Sequence, residues 1–249
     1  MVFKEVQAVV SFLTIIPACR TLSSIDINYI ASRMYLFPIG GAIIGIMVGG
    51  LAYIISFYLP PLLVGFIVAA VLIIITGLTH TDALADFADG VMAKGGKEAK
   101  HRAMCDPAVG SAGVVALVLY ISGIIIVLSS FTNSVKLLTS IITSEVIAKY
   151  VMVLQAYNGL SAWEGFSSPF TKAMKDKRKF VAATGMMLPF VCFATGLTGL
   201  ISLGTSLVIT MVIYYFSNKN FGGISGDVMG ASNEIIRLSS LIVISSLHI

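Results

Sequence analysis

The chain has 249 residues, 57% of them hydrophobic and 11% charged, with a formal net charge of +4 and a mean hydropathy of +0.96. A soluble domain carries roughly 25% charged residues, so a water-covered globule is excluded and the bilayer is the solvent. No polar stretch is long enough to fold alone, which leaves one integral-membrane domain over 1–249, all-α and polytopic.

The N-terminus, MVFKEVQAVVSFLTIIP, has a short apolar run without a small-residue cleavage site. It reads as a short helix at or partly within the membrane, not as a signal peptide. A spanning helix needs about 20 mostly apolar residues. Seven stretches qualify as candidates: 34–58, 61–79, 110–130, 136–156, 180–200, 203–217 and 235–249. Pro60-Pro61 breaks the chain between the first two. Gly40, Gly41, Gly45, Gly49 and Gly50 form a small-residue stripe, the pattern of close helix packing in membranes. Cys19, Cys105 and Cys192 are scattered without metal-ligand spacing and imply neither a disulfide framework nor a zinc site.

If the spans alternate, the N-terminus and the connections 17–33, 80–109, 157–179 and 218–234 share one side, with Arg237 at a helix entry. All 16 basic residues except Lys136 and Lys149 belong to this set. By the positive-inside rule it faces the cytoplasm. Turns at 59–60, 131–135 and 201–202 face the other way. Half of the 12 acidic residues, Asp82, Asp86, Asp89, Asp106, Asp227 and Glu234, also fall on the basic side.

Three of these lie in THTDALADFADG, Thr79–Gly90. If 79–92 is helical, positions 82, 86 and 89 lie within about 60° on one face and span about 10 Å. Three like charges on one stripe repel each other, and more so in the low dielectric at a membrane surface. A hard divalent cation, Mg²⁺ or Mn²⁺, would relieve them, since it takes oxygen from one or two carboxylates plus substrate phosphates. The alternative is a solvated helix face. His80 fits an acid or base, a phosphate contact or a polar helix end.

In MCDPAVGSAG, Asp106 precedes a proline in a loop ahead of a span and suits a turn start or a helix cap. Glu145 and Lys149 stand i, i+4 inside a span, where charges usually face the protein interior. They suit mutual pairing, or Lys149 reaches toward the basic side. KAMKDKRK, 172–179, reads first as a topology signal. NFGGISGDVMGASNE, 220–234, is a glycine loop leading into a helix that starts near Gly226-Asp227. Such a start favours an anion, and Asp227 also suits a cap. Asp227 and Glu234 are i, i+7.

Read together, these motifs resemble the cobalamin synthase family, the adenosylcobinamide-GDP ribazoletransferases or cobalamin 5′-phosphate synthases. The first family signature, near G-x-H-x-D-G-L-A-D-x-x-D-G, is matched by Gly77–Gly90. The second, near M-x-D-x-x-x-G-x-x-G, is matched by Met104–Gly113. The third, near G-G-x-T-G-D-x-x-G-A-x-x-E, is matched by Gly222–Glu234. SFLTIIP at 11–17 and FPIGGAIIG at 37–45 resemble the family's opening, so the likeness runs along nearly the whole chain. Ala83 stands where a glycine is usual, an arginine after Asp106 is missing, and Lys149 stands where many members carry arginine.

The resemblance implies a Mg²⁺-dependent transfer that joins adenosylcobinamide-GDP to α-ribazole or its 5′-phosphate and releases GMP. It implies Asp82, Asp86, Asp89 and Asp227 as metal ligands, and Asp106 or His80 as base. Lys149, Gly226, Asn233 and Glu234 are implied as substrate contacts. The expected partners are the two substrates and the bilayer. A second copy of the chain or other corrinoid-pathway enzymes are candidate protein partners, and no nucleic acid is expected. Two rival readings stand beside it. DFADGVMAK, 86–94, resembles half of the CDP-alcohol phosphotransferase signature. The intramembrane Glu145 and Lys149 would suit an ion-coupled transporter.

Overall fold

A computed structural model describes residues 2–18 and 26–247; Cys19 and Arg20 lie outside the described residues. It is helical, with no strand among the described residues beyond one isolated bridge, Ser161 to Ile224. The helices are α1 (Val2–Leu13), α2 (Ile27–Ala31), α3 (Phe37–Ile55), α4 (Pro61–Ile75), α5 (Thr79–Met92) and α6 (Lys97–Met104). They continue with α7 (Ser111–Ser129), α8 (Ser134–Asn158), α9 (Ser168–Ala173), α10 (Lys177–Phe221) and α11 (Gly226–Ser246).

Their starts follow local chemistry. Pro61 opens α4, where a missing N–H costs nothing. Asn133, Asp176 and Ser225 cap α8, α10 and α11, accepting from the N–H groups of Lys136, Arg178 and Val228.

Five described helices are long and apolar enough to cross a membrane, or six if the bent pair α4–α5 is one span. One of the five is α10, with 45 residues. At about 1.5 Å per residue it would reach about 67 Å, twice a hydrocarbon core of about 30 Å. It does not run straight. Gly196 (φ 58, ψ −130) breaks it, and both ends return to one loop. Lys175 Nζ donates to the carbonyls of Tyr157 and Gly159 at 2.9 and 3.0 Å, and Ile224 N–H donates to Leu160 O at 2.9 Å. The expected spans 180–200 and 203–217 are therefore two arms of a hairpin. Its apex is Gly196, not 201–202, because only glycine tolerates that backbone conformation.

α8 is the central post, buried along most of its length. The glycine stripe packs α3 against it, as expected. A Cβ at Gly41 would stand 2.5 Å from Glu145 O, at Gly45 2.6 Å from Ile142 Cα, and at Gly49 3.0 Å from Leu138 O. Gly50 faces open space and takes no part. α7 and the α10 arms turn large apolar side chains outward, including Val118, Leu119, Phe193 and Met211, as lipid-facing helices do.

The turns sort to two ends. Ser56 and Ser134 Oγ atoms meet at 2.7 Å at one end, where Lys136 Nζ also donates to Leu247 O at 2.9 Å. At the other end His101 stacks on Trp163, with centroids 3.8 Å apart, and Trp163 meets Phe221 edge-on. The loops around 93–110, 159–167 and 222–225 thus share one face. Arg237 and Glu234, expected there, are instead fully buried inside the bundle. Helix α11 starts at Gly226 and carries both into the helix bundle.

Candidate active site

Helix α5 has the expected bounds, and it restarts instead of continuing α4. Gly77 (φ 69) and Leu78 (φ 59) adopt left-handed conformations, and the chain turns by 89° between the two helices. The turn lays the aspartate face of α5 across the loop end of the bundle. Asp82 is exposed, and Asp86 and Asp89 are half-buried.

The three motifs meet on this face. The carboxylates of Asp82, Asp227 and Asp89 all repel that of Asp86, so α5 and the start of α11 face one another. Helix contact at Gly230 makes this possible. A Cβ there would stand 2.6 Å from Ala83 Cβ and 3.4 Å from His80 Nδ1. The second motif reaches α5 through Asp89. Its Oδ2 accepts the Gly110 N–H at 2.7 Å and its Oδ1 the Gly113 N–H at 2.9 Å. These groups open α7, where a carboxylate satisfies orphan donors and faces the positive end of the helix dipole. A Cβ at either glycine would run into that carboxylate, which explains the glycine spacing of the motif. Lys100 Nζ ties the far end of α5, donating to the Val91 and Ala93 carbonyls at 2.7 Å.

Asp106 is exposed and turns the loop, its Oδ1 accepting the Ala108 N–H at 2.9 Å. It shares a recess of about 270 Å³ with Asp89. Gly226 and Asp227 line another cavity, also about 270 Å³, together with His80. Cys105, which the sequence did not single out, reports on the same charges. Partial burial first, and then the Asp227 and Asp86 carboxylates, push its thiol up.

Lys149, Asn233 and Glu234 are not on this surface. They belong to a closed network between α7, α8 and α11. Lys149 Nζ donates to Asn233 Oδ1 at 2.6 Å, and Asn233 Nδ2 to Glu234 Oε1 at 2.8 Å. Arg237 pairs with both Glu145 and Glu234 and donates to Tyr120 OH at 2.9 Å. Lys149 and Glu145 stand 3.7 Å apart. The four charged side chains are 0% exposed, and two carboxylates balance two cations. No single position gave Arg237 or Tyr120 away, because the partners come from helices far apart in the sequence.

The donor chemistry around Asp86 suits a hard cation. Among the described residues no ion pair reaches Asp82, Asp86, Asp89 or Asp227, so their repulsion is uncompensated by lysine or arginine. No three His, Cys, Asp or Glu side chains among the described residues are grouped to hold a metal alone. The four aspartates expected as a joint ligand set are thus not gathered into one; Mg²⁺ needs only one or two carboxylates when substrate phosphates complete its shell. Asp89 is the least available, since each of its oxygens already accepts an N–H.

The model of one protein family, cobalamin-5-phosphate synthase, matches residues 5–245. A protein of Methanococcoides burtonii is 32% identical over 94% of this chain and 89% of its own length. A protein of Methanocella arvoryzae is 28% identical over 94% and 92%, and one of Archaeoglobus fulgidus is 28% identical over 96% and 95%. Each carries the name adenosylcobinamide-GDP ribazoletransferase. No solved structure gives a significant match. Its motifs converge on one carboxylate-lined face and the family model spans all of them, so this chain belongs to the cobalamin-5-phosphate synthase family.

Proposed function

We propose that the chain joins adenosylcobinamide-GDP to α-ribazole, or to its 5′-phosphate, and releases GMP in a late step of cobalamin biosynthesis. The observation that carries this reading is that Asp82 and Asp227, from two distant motifs, both bear on the Asp86 carboxylate, with no salt bridge to any of the three among the described residues. In the transfer, a ribose hydroxyl oxygen of the acceptor bonds to the phosphorus on cobinamide. The bond from that phosphorus to the bridging oxygen of GMP breaks, and the hydroxyl proton passes to a carboxylate.

Asp86, with Asp82 or Asp227, would hold Mg²⁺, or Mn²⁺ in its place. When bound, the ion supplies charge neutralisation for the diphosphate. The chain's own part is separate. Asp89 fixes α5 to the start of α7, and Gly230 sets its distance from α11. The exposed Asp82 and Asp106 are open to substrate. The basic residues of the same face, Lys97, Lys172 and Lys175 among them, attract an anionic substrate and by the positive-inside rule set that face in the cytoplasm of the cell membrane.

The test is GMP release from purified protein in liposomes. Release is expected with adenosylcobinamide-GDP and α-ribazole together, and not with CDP-alcohols. CMP release from a CDP-alcohol, or substrate uptake without GMP release, would instead favour one of the rival readings.

A further inference from the structure

The cavity beside Asp227 has a chemistry that the phosphate reaction does not use. Four phenylalanines wall it: Phe12 of α1, Phe37 of α3, and Phe166 and Phe170 at α9. Their rings touch one another, with Phe12 to Phe170 at 5.8 Å, Phe166 to Phe170 at 5.7 Å and Phe12 to Phe37 at 6.0 Å. His80 lines the same space. It is 9% exposed, and its Nε2 is buried without a hydrogen-bond partner. A buried polar atom left unmet costs free energy, so this nitrogen is placed for a group that arrives from outside. Asp227 lines the cavity and also faces Asp86. An occupant therefore has one end among aromatic rings and the other at the carboxylates.

We infer that this cavity seats the flat heteroaromatic base of the ribazole acceptor, with His80 Nε2 hydrogen-bonded to the free ring nitrogen and the ribose emerging at Asp227. The inference rests on the reading above that a ribazole is the acceptor. A volume of about 270 Å³ sits at the low end of small-molecule sites, about 300–1,000 Å³. It takes a bicyclic base with part of its sugar and is too small for a corrin ring. Aromatic walls favour a planar ring by stacked or edge-on contact. Phe12 makes helix α1 a wall of the acceptor site as well as a membrane-surface element.

Equilibrium dialysis of the full chain in phospholipid nanodiscs reads the cavity without turnover. The probes are radiolabelled α-ribazole and an analogue in which indole replaces benzimidazole, so that the free ring nitrogen is lost. Wild type is expected to bind α-ribazole about tenfold more tightly than the indole riboside, the worth of one buried hydrogen bond. His80→Phe should bind the two equally. Phe166→Ala removes a ring that is 60% exposed and should weaken both about tenfold while keeping the preference. In turnover, both variants should raise KM for α-ribazole and leave KM for adenosylcobinamide-GDP unchanged.

Equal binding of the two probes by wild type, or a rise confined to the KM of adenosylcobinamide-GDP, would overturn the assignment. Failure of wild type to bind α-ribazole would overturn it even if GMP is released. Tight, His80-dependent binding without GMP release would uphold the cavity and remove the proposed activity.

Discussion

The carboxylate of Asp89 accepts the N–H of Gly110 at 2.7 Å and so joins the α5 face to the first turn of α7. The second bond, from Gly113 at 2.9 Å, makes the contact two-pronged. Asp89 therefore differs from its neighbours on the stripe. Asp82 and Asp86 have no such bonds to lose, whereas Asp89 holds two helices in register.

This separates two kinds of loss. Asp89→Ala leaves two half-buried N–H groups unmet, at about 1–3 kcal/mol each. It should lower both the thermal midpoint in detergent and GMP release. Asp89→Asn keeps one acceptor and should fall between. A midpoint unchanged in Asp89→Ala would show that the contact does not support the fold.

The approach of α11 to α5 depends on small atoms at Gly230 and Ala83. Gly230→Ala sets two methyl groups 2.6 Å apart, and overpacking of this kind costs about 1–3 kcal/mol. Activity should fall by tenfold or more, because the shift also moves Asp227. Adding Ala83→Gly removes the opposing methyl group and should recover most of the loss. Steady-state GMP release in the single and double variants checks this, and no recovery in the pair would place the fault elsewhere.

Arg237 is the hinge of the buried network. Arg237→Met leaves Glu234 without a cation and Glu145 with only the longer contact to Lys149, and removing one partner of a buried ion pair typically costs about 3–5 kcal/mol. The protein should be obtained in low yield with a markedly lower melting midpoint. Lys149→Met removes the bond to Asn233 and the longer ion pair, 3.7 Å from Glu145, but leaves Arg237 on both carboxylates, and should be milder. A wild-type midpoint in Arg237→Met would contradict the structural role.

Cys105 gives a readout of charge at the site. Partial burial raises its thiol first, and the carboxylates of Asp227 and Asp86 add to this, so less thiolate is present at a given pH and alkylation is slow. Cations on those carboxylates would bring the thiol down again. In a protein with Cys19 and Cys192 replaced by serine, Mg²⁺ should shift the alkylation pH profile of Cys105 to lower pH. The same addition to Asp86→Asn/Asp227→Asn should do nothing. An unchanged wild-type profile would argue against cation binding there.

Much of this arrangement was legible in the sequence. The α5 bounds follow from a polar stripe that begins where Gly77 can turn the chain. The α3 glycines announced close packing, and their partners on α8 proved to be backbone atoms. Other features were hidden for physical reasons. The reversal at Gly196 lies within a continuous apolar run, where hydropathy does not change. Arg237 looked like a loop-side cation because its partners Glu145 and Tyr120 are more than 90 positions away. The phenylalanines of the cavity resemble lipid-facing side chains until α1, α3 and α9 bring them together. The wider role expected for Lys149, Asn233 and Glu234 came from the resemblance, and burial now gives them a task inside the bundle.

The proposed transfer turns on Asp86 and Asp227 serving one site together. The direct measurement is GMP release by Asp86→Ala and Asp227→Ala in liposomes, with melting midpoints measured on the same samples. Release at least about 100-fold below wild type, with midpoints within a few degrees of it, is the predicted result; near-normal release from either variant would contradict the account.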